Sequence, residues 1–177
     1  MVPVRAKRVG VALGLLGGVG TAGWLGLATR APAVDPVLAA KVLPVIDEEL
    51  ARGPWPGMLG GRWFCAEQVI EIRHTGDELA VGVEAWCDEY VRDGDELVVG
   101  SGEHGPKVVV LTATSDGYRV VRVDVPPDGA GYSPWVERHF SAAGARELSS
   151  PTPSPDTAAQ AREVLGLRPD APVRQAR

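Results

Sequence analysis

The spacing of apolar residues changes along the chain from a helical period to an extended one. In the first segment they recur every four positions and so share one side of a helix: Leu38, Val42, Ile46 and Leu50. Asp35 followed by Pro36 is a typical N-cap with proline at the first helical position, and Gly53-Pro54 ends the segment. The pattern predicts a helix with one buried stripe, which Pro44 either kinks or causes to begin late.

Beyond Gly61 the period changes to two. Five segments rich in Val, Ile, Trp and Leu follow one another: Arg62–Arg73, Glu78–Tyr90, Glu96–Ser101, Lys107–Ser115 and Tyr118–Val125. Short sequences of turn-forming residues separate them, among them Gly76-Asp77, Asp93-Gly94-Asp95 and the run from Gly102 to Pro106. These patterns predict an α+β domain, in which a helix packs on a curved five-stranded antiparallel meander.

The C-terminal third returns to helical signals. We expect a short helix from about Pro134 to Ala143, then a Ser/Pro linker from 149 to 153. A last helix is predicted from Pro155 to Leu167, capped by Ser154, with one apolar side made of Ala158, Ala161, Val164 and Leu165. The tail after Arg168 has little to bury, so we expect it to be disordered.

The N-terminus has the features of a membrane segment. Twenty uncharged residues, 9–28, match a bilayer core of roughly 30 Å at a helical rise of about 1.5 Å per residue. Arg5, Lys7 and Arg8 precede this run and should stay in the cytoplasm, which directs the rest of the chain outside. The favoured interpretation is a retained single-pass anchor. The alternative is a signal peptide cleaved after Ala33, because Ala31-Pro32-Ala33 resembles a signal peptidase site.

The N-terminal segment and the C-terminal linker divide the chain into three regions. We divide the chain into a membrane anchor or signal segment (1–33), an extracytoplasmic α+β domain (34–148) and a C-terminal segment with linker, short helix and tail (149–177). Fourteen basic and 23 acidic residues follow Arg30, a net charge of −9. This charge argues against nucleic acid or an anionic membrane surface as partner.

Cys65 and Cys87 are the only cysteines and lie in neighbouring strand segments on the external side, where an even count indicates a disulfide. A three-residue turn at 75–77 places them opposite each other. The apolar pattern conflicts with this register, because Ile70 and Ile72 have the parity opposite to that of Cys65. A one-residue bulge between Cys65 and Ile70 resolves the conflict and puts all three on one side.

No residue pattern identifies a catalytic, cofactor or metal site. His74, His104 and His139 are dispersed and lack metal-ligand spacing. The glycine-rich run Gly100–Gly105 precedes a strand, so we interpret it as a hairpin turn and not as a phosphate loop. The acidic run between Asp88 and Glu96 lacks the ligand spacing of a calcium loop, and we expect its members to be solvated turn residues. Ser101, His104 and Asp116 have no sequence context of a hydrolytic triad.

Trp55 is the candidate partner contact. It lies between Pro54 and Pro56 in a loop where the prolines would hold its ring in place. The ring either docks on the domain itself or anchors a partner.

The order of elements, and the run from Tyr118 to Val123 leading into Tyr132-Ser133-Pro134-Trp135-Val136, resemble small extracytoplasmic proteins of unknown function from high-GC Gram-positive bacteria. The resemblance implies a cystatin-like roll and no activity. The function expected is therefore a membrane-tethered interaction or sensor module for a protein or cell-envelope component. The alternative is a secreted roll that binds a small molecule or acts as an enzyme.

Overall fold

The computed structural model describes residues 34–53 and 56–176. The described chain is α+β, with four helices and a five-stranded mixed sheet. In chain order the elements are α1 (Pro36–Leu50), β1 (Arg62–Thr75), β2 (Glu78–Asp93), β3 (Glu96–Ala113), β4 (Tyr118–Asp124), α2 (Tyr132–His139), α3 (Ala142–Leu148), α4 (Thr157–Val164) and β5 (Val173–Gln175).

Helix α1 begins where the sequence predicts. The Asp35 carboxylate accepts hydrogen bonds from the backbone N–H groups of Val37 (2.8 Å) and Leu38 (3.3 Å), which caps the first turn. Pro44 lies inside the helix, on its exposed side, and does not delay its start. The predicted stripe packs on the sheet, with Val42, Ile46 and Leu50 fully or nearly buried.

Strands β1 to β4 form an antiparallel meander in the order β1-β2-β3-β4. The predicted meander of five strands is wrong in one respect, because two of its segments are halves of a single strand. Residues 102–106, expected to form a turn, continue β3 opposite the long strand β2, with Gly102 facing Asp88 and Pro106 facing Glu84. Pairing along the whole of β2 thus outweighs the local turn preference of this glycine-rich run.

The fifth strand comes from the tail. β5 pairs in parallel with β3, aligning Leu97 with Val173 and Val99 with Gln175. Ala171, just before β5, is buried, and Leu97 N–H donates to Pro172 O at 2.9 Å. The segment after Arg168, expected to be disordered, is therefore an ordered part of the sheet.

The bulge predicted in β1 is present, although its position differs. Val69 pairs with Val83 and Glu71 with Gly82, so that Ile70 is the extra residue. The connecting turn is the two-residue Gly76-Asp77, and the bulge restores the register that places Cys65 opposite Cys87. Ile72 consequently shares the face of Cys65, as expected, whereas Ile70 lies on the other face.

The two faces of the sheet carry different layers. On the α1 face, alternate strand residues such as Val81, Val83, Val109 and Leu111 pack beneath α1. On the opposite face, Ile70, Val108 and Val110 pack against Trp135 of α2 and against Phe140, the residue that follows α2. Gly82 lies directly beneath the Phe140 ring, since a Cβ at this position would come within 2.5 Å of it.

The C-terminal helices cover the opposite face at two separate places. The single helix predicted from Pro134 to Ala143 is two helices, because Ser141 caps α3 by accepting the N–H of Gly144 at 3.0 Å. Helix α4 is capped by Asp156 and not by Ser154. Its Ala158 and Ala161 pack on Phe64, Tyr90 and Leu97, as part of the predicted apolar side, but Val164 is half exposed.

No helix within the described residues is long and apolar enough to cross a membrane. The predicted anchor, residues 9–28, and the alternative cleavage site at Ala33 lie outside the described residues.

Candidate functional site

A polar cluster lies on the opposite face between the two places that the C-terminal helices cover. Glu84 and Trp86 alternate along β2 with Val83, Ala85 and Cys87, which belong to the core beneath α1. The alternation directs both side chains away from α1. His104 lies directly across from Trp86 on β3. We call Glu84, Trp86, His104 and the nearby Tyr132 the Glu84 cluster.

Two contacts fix the imidazole of His104. Its ring stacks on the indole of Trp86, with centroids 4.7 Å apart and planes 12° from parallel. Its Nε2 lies 2.9 Å from Oε1 of Glu84. Hydrogen bonding and stacking therefore hold one orientation of a side chain that is still 53 % exposed.

Glu84 is a buried carboxyl group with an incomplete set of partners. The residue is 6 % exposed, and its Oε2 is buried without a hydrogen-bond partner. Within residues 34–53 and 56–176, its ion pairing is with His104 alone. A buried acceptor that lacks a donor is costly, which makes Oε2 an unusual feature of a native face.

Tyr132, the first residue of α2, extends the cluster. Burial and then the negative charge of Glu84 raise the pKa of the Tyr132 hydroxyl above its ordinary value. The phenol stays neutral at physiological pH and keeps its proton, so that it can donate a hydrogen bond. Because Tyr132 is 42 % exposed, the cluster reaches the protein surface here and at His104.

The other histidines are separate, as their dispersal in the sequence predicts. His139 stacks on Trp135 with centroids 4.3 Å apart, and its Nδ1 lies 2.8 Å from the carbonyl oxygen of Trp135. His139 therefore stacks on a tryptophan as His104 does, but its ring nitrogen lies against a backbone carbonyl oxygen instead of a carboxylate. His74 lies at the exposed end of β1.

The structure does not bring Ser101, His104 and Asp116 together. Ser101 Oγ accepts the N–H of Met58 at 2.9 Å, whereas Asp116 accepts the hydroxyl of Thr114 at 3.0 Å in the β3–β4 turn. Ten positions of extended strand separate His104 from Thr114, a distance of about 30 Å. Within the described residues, no group of three or more His, Cys, Asp or Glu is placed to hold a metal ion.

One member of the acidic run contradicts the expectation of a solvated turn residue. Glu89 is 0 % exposed on the α1 face, opposite the Gly100-Ser101 bulge of β3. Its carboxylate accepts the N–H groups of Leu59 (3.0 Å), Gly61 (2.6 Å) and Ser101 (3.1 Å). Burial alone would raise the pKa of Glu89, but these donors outweigh it and hold the pKa below the ordinary value.

The remaining acids of the run pair within the domain. Asp88 accepts the hydroxyl of Thr157 at 2.6 Å, and Arg174 of β5 pairs with Asp93 and, at 3.3 Å, with Glu96. These contacts attach α4 and β5 to the sheet. Asp95, in the β2–β3 turn, is fully exposed, as expected for a solvated turn residue.

The predicted disulfide is present. Cys65 and Cys87 face each other across β1 and β2, with sulfur atoms 2.09 Å apart and Cα atoms 4.1 Å apart. The bond lies in the core beneath α1 and fixes the register of the strand that carries Glu84 and Trp86.

Trp55, the predicted partner contact, lies outside the described residues. The following residues, from Pro56 to Gly61, form a loop that Glu89 holds through the N–H groups of Leu59 and Gly61.

Sequence reasoning missed the Glu84 cluster because it divided β3. Glu84 and Trp86 carry a signal in the sequence, since both have the parity opposite to the apolar stripe of β2. His104 was placed in a turn, so its position across from Trp86 could not be derived. No protein-family model, curated protein or solved structure matches this chain, so the cluster is interpreted from its own geometry.

Proposed function

We propose that this chain is a membrane-tethered extracytoplasmic binding module, anchored through residues 9–28, that recognises a cell-envelope component through the Glu84 cluster. The observation that carries the proposal is Glu84 Oε2, a buried acceptor without a partner next to the half-exposed His104. Glu89 has its donors inside the domain, whereas Glu84 and Glu67 each have one buried oxygen without a partner. Of these two, Glu84 is the one that lies against a half-exposed histidine, and a buried acceptor close to the surface is typical of a site that a ligand completes.

The disulfide supports a location outside the cytoplasm. Disulfides form and persist in oxidising compartments, and Cys65–Cys87 joins the edge strand β1 to its neighbour β2. The cationic residues before the apolar run favour the same side for the domain.

Charge favours a cationic ligand. Beyond Arg30 the chain carries a net charge of −9, and the carboxylate of Glu84 is one of the contributing charges. An acidic surface attracts cations and repels nucleic acid.

A second candidate function, acid–base catalysis by a secreted or tethered enzyme, is favoured by one observation. Glu84 orients His104 through Nε2, and Nδ1 has no hydrogen-bond partner within the described residues. This is the arrangement of a carboxylate-oriented general base. His104 is exposed, however, and the structure brings no nucleophile to it, so we favour binding.

Retention of the full chain by its own purified cell envelope tests the binding function. The chain, solubilised in detergent, is incubated with envelope material and sedimented. We expect wild type to be retained and Glu84→Gln to lose retention by about tenfold or more, since one buried charge contact is removed. Glu163→Gln removes the same charge from the exposed side of α4 and should behave as wild type. Equal retention of Glu84→Gln and wild type, or no retention of either, would contradict the proposal.

A further inference from the structure

The Glu84 carboxylate already has one partner within the cluster. The imidazole of His104 lies over the indole of Trp86 and against the carboxylate of Glu84. We propose that Glu84 and Trp86 form a recognition site for a primary ammonium group, and that His104 occupies this site until the ligand displaces it. The inference rests on the proposed binding function and names the chemistry of the ligand.

The imidazole satisfies only part of the site. It offers one nitrogen to Oε1 and leaves Oε2 without a partner. An alkylammonium group carries three N–H donors around a compact charge, so it can bond both oxygens at once. Its charge is also attracted by the face of an indole, the strongest of the aromatic rings in this respect.

The exposure of His104 favours its displacement by rotation of the side chain. The side chain is 53 % exposed, whereas Trp86 is 7 % exposed under it. Rotation of His104 into solvent uncovers the indole face and the approach to Glu84 together. Tyr132 is 42 % exposed and close enough to Glu84 for the carboxylate charge to raise the pKa of its hydroxyl, and its phenol oxygen can accept a hydrogen bond from an ammonium group.

The unpaired oxygen of Glu84 favours cations that carry N–H donors. A quaternary ammonium has no N–H and cannot fill the unpaired acceptor. Acetylation of an amine removes both its charge and two of its donors. A primary ammonium can belong to the side chain of a peptide or to an amino sugar, and both groups offer the same chemistry.

The chain contains a matched control for the stack. His139 lies over Trp135 at 4.3 Å, but its nitrogen bonds a backbone carbonyl and not a carboxylate. Removal of His139 exposes an indole without creating a place for a cation to form an ion pair.

Calorimetric titration of the full chain in detergent tests the inference. The peptide-type probe is Nα-acetyl-lysine amide and the sugar-type probe is glucosamine, with their N-acetylated forms and tetramethylammonium as controls at matched ionic strength. We expect His104→Ala to bind one of the two amines about tenfold more tightly than wild type, because the competing side chain is gone. His139→Ala should match wild type, and Glu84→Gln should bind at least about tenfold more weakly.

The variants also separate the outcomes. His104→Ala changes a side chain that is 53 % exposed, so the variant is expected to keep a cooperative thermal unfolding transition, and its binding result is interpretable even if Glu84→Gln unfolds. Lack of tighter binding by His104→Ala, or equal binding of tetramethylammonium or an acetylated probe, would overturn the inference. Envelope retention that is lost in Glu84→Gln while neither amine binds would overturn the ligand class and leave the binding function in place. Amine binding without envelope retention would overturn the binding function and leave the ligand class in place.

Discussion

At the scale of single residues, the protein contains three buried glutamates whose surroundings differ. Glu89 has three backbone donors, and Glu71 accepts the N–H and hydroxyl of Ser141 and pairs with Arg73. Both fasten a loop or a helix to the sheet. Glu84 has one half-exposed histidine and an unpaired oxygen, which is why we assign the ligand to it.

Glu67 gives a pH-dependent prediction that does not involve the cluster. It lies on the α1 face, where burial and then the charge of Asp47 on α1 raise the pKa of Glu67 to about 7. Its Oε1 is buried without a hydrogen-bond partner. The folded chain therefore holds a proton that the unfolded chain releases above about pH 4.5.

The direction in which stability changes with pH follows from the proton that Glu67 retains in the folded chain. Stability falls as the pH rises from about 4.5 to 7, and it stays lower above that range. After allowance for solvent screening of a partly exposed side chain, we expect a loss of about 1–2 kcal/mol. Glu67→Gln should match wild type near pH 4.5 and exceed its free energy of unfolding by that amount near pH 8, measured by urea denaturation. A difference between variant and wild type that does not change with pH would contradict the assignment.

The alternation of apolar and polar residues indicates which face of the sheet a strand residue lies on. It does not predict contacts between residues that are distant in the sequence. It detected the conflict that the bulge at Ile70 resolves, and the parity of Glu84 and Trp86 carries a signal that was not used. It did not identify Glu89 as buried, although Glu89 has the parity of the core face of β2. The reason is that two of its donors lie in the loop at 59–61, nearly thirty residues earlier in the chain. A partner so distant in sequence leaves no local pattern.

At the scale of elements, the predicted and observed strands differ mainly where a strand pairs with a segment that is distant in the sequence. Residues 102–106 have the composition of a turn, yet β2 extends far enough to pair with both halves of β3. Pro106 is compatible with this strand, because β4 begins its pairing at Val108 and β5 ends its pairing at Val99. The stretch between them has an open side, where a missing N–H costs little. Composition alone could not predict that a partner strand was available.

The tail illustrates the same limit. Val173–Gln175 is too short and too polar to be predicted as a strand, and it becomes one because the edge of β3 near Leu97 is free to accept it. Arg174 then pairs with Asp93 and Glu96. Helix α1, by contrast, was predictable, because its cap, proline and apolar stripe are all local.

The disulfide is the element-scale prediction for stability. It joins cysteines 22 positions apart and restricts the unfolded chain, so replacing both cysteines by Ala should lower the free energy of unfolding by about 2–5 kcal/mol. Urea denaturation of the full chain measures the loss. Reduction of the wild type should lower its stability similarly, and the denatured, unreduced chain should contain no free thiol. Two free thiols per chain would contradict the bond.

At the scale of the whole molecule, we propose that an N-terminal anchor carries an acidic, disulfide-bonded domain with a binding cluster on its sheet. The arrangement of α1 on one face and α2 to α4 on the other leaves the Glu84 cluster in the gap between helices. A domain on a tether searches only the envelope near the membrane, which raises the effective concentration of an envelope ligand.

The tether predicts the behaviour of the chain in cells. With residues 9–28 retained as a membrane helix, the protein should remain in the membrane fraction after a carbonate wash. Protease added to intact spheroplasts should degrade the domain while a cytoplasmic marker survives. Recovery of a soluble species that begins at Val34 would favour the cleaved, secreted alternative. Protection of the domain from protease would contradict its external location.

The central claim is that a ligand enters the Glu84 cluster by displacing His104, and nuclear magnetic resonance of the two stacked histidines tests it most directly. The imidazole protons of His104 and His139 experience the ring currents of Trp86 and Trp135, with His104→Ala and His139→Ala providing the assignments. Addition of soluble envelope fragments, or of the amine that binds, should shift the His104 signal toward that of an unstacked histidine and leave the His139 signal unchanged. A His104 signal that stays fixed at saturating ligand, or that moves together with that of His139, would contradict the account.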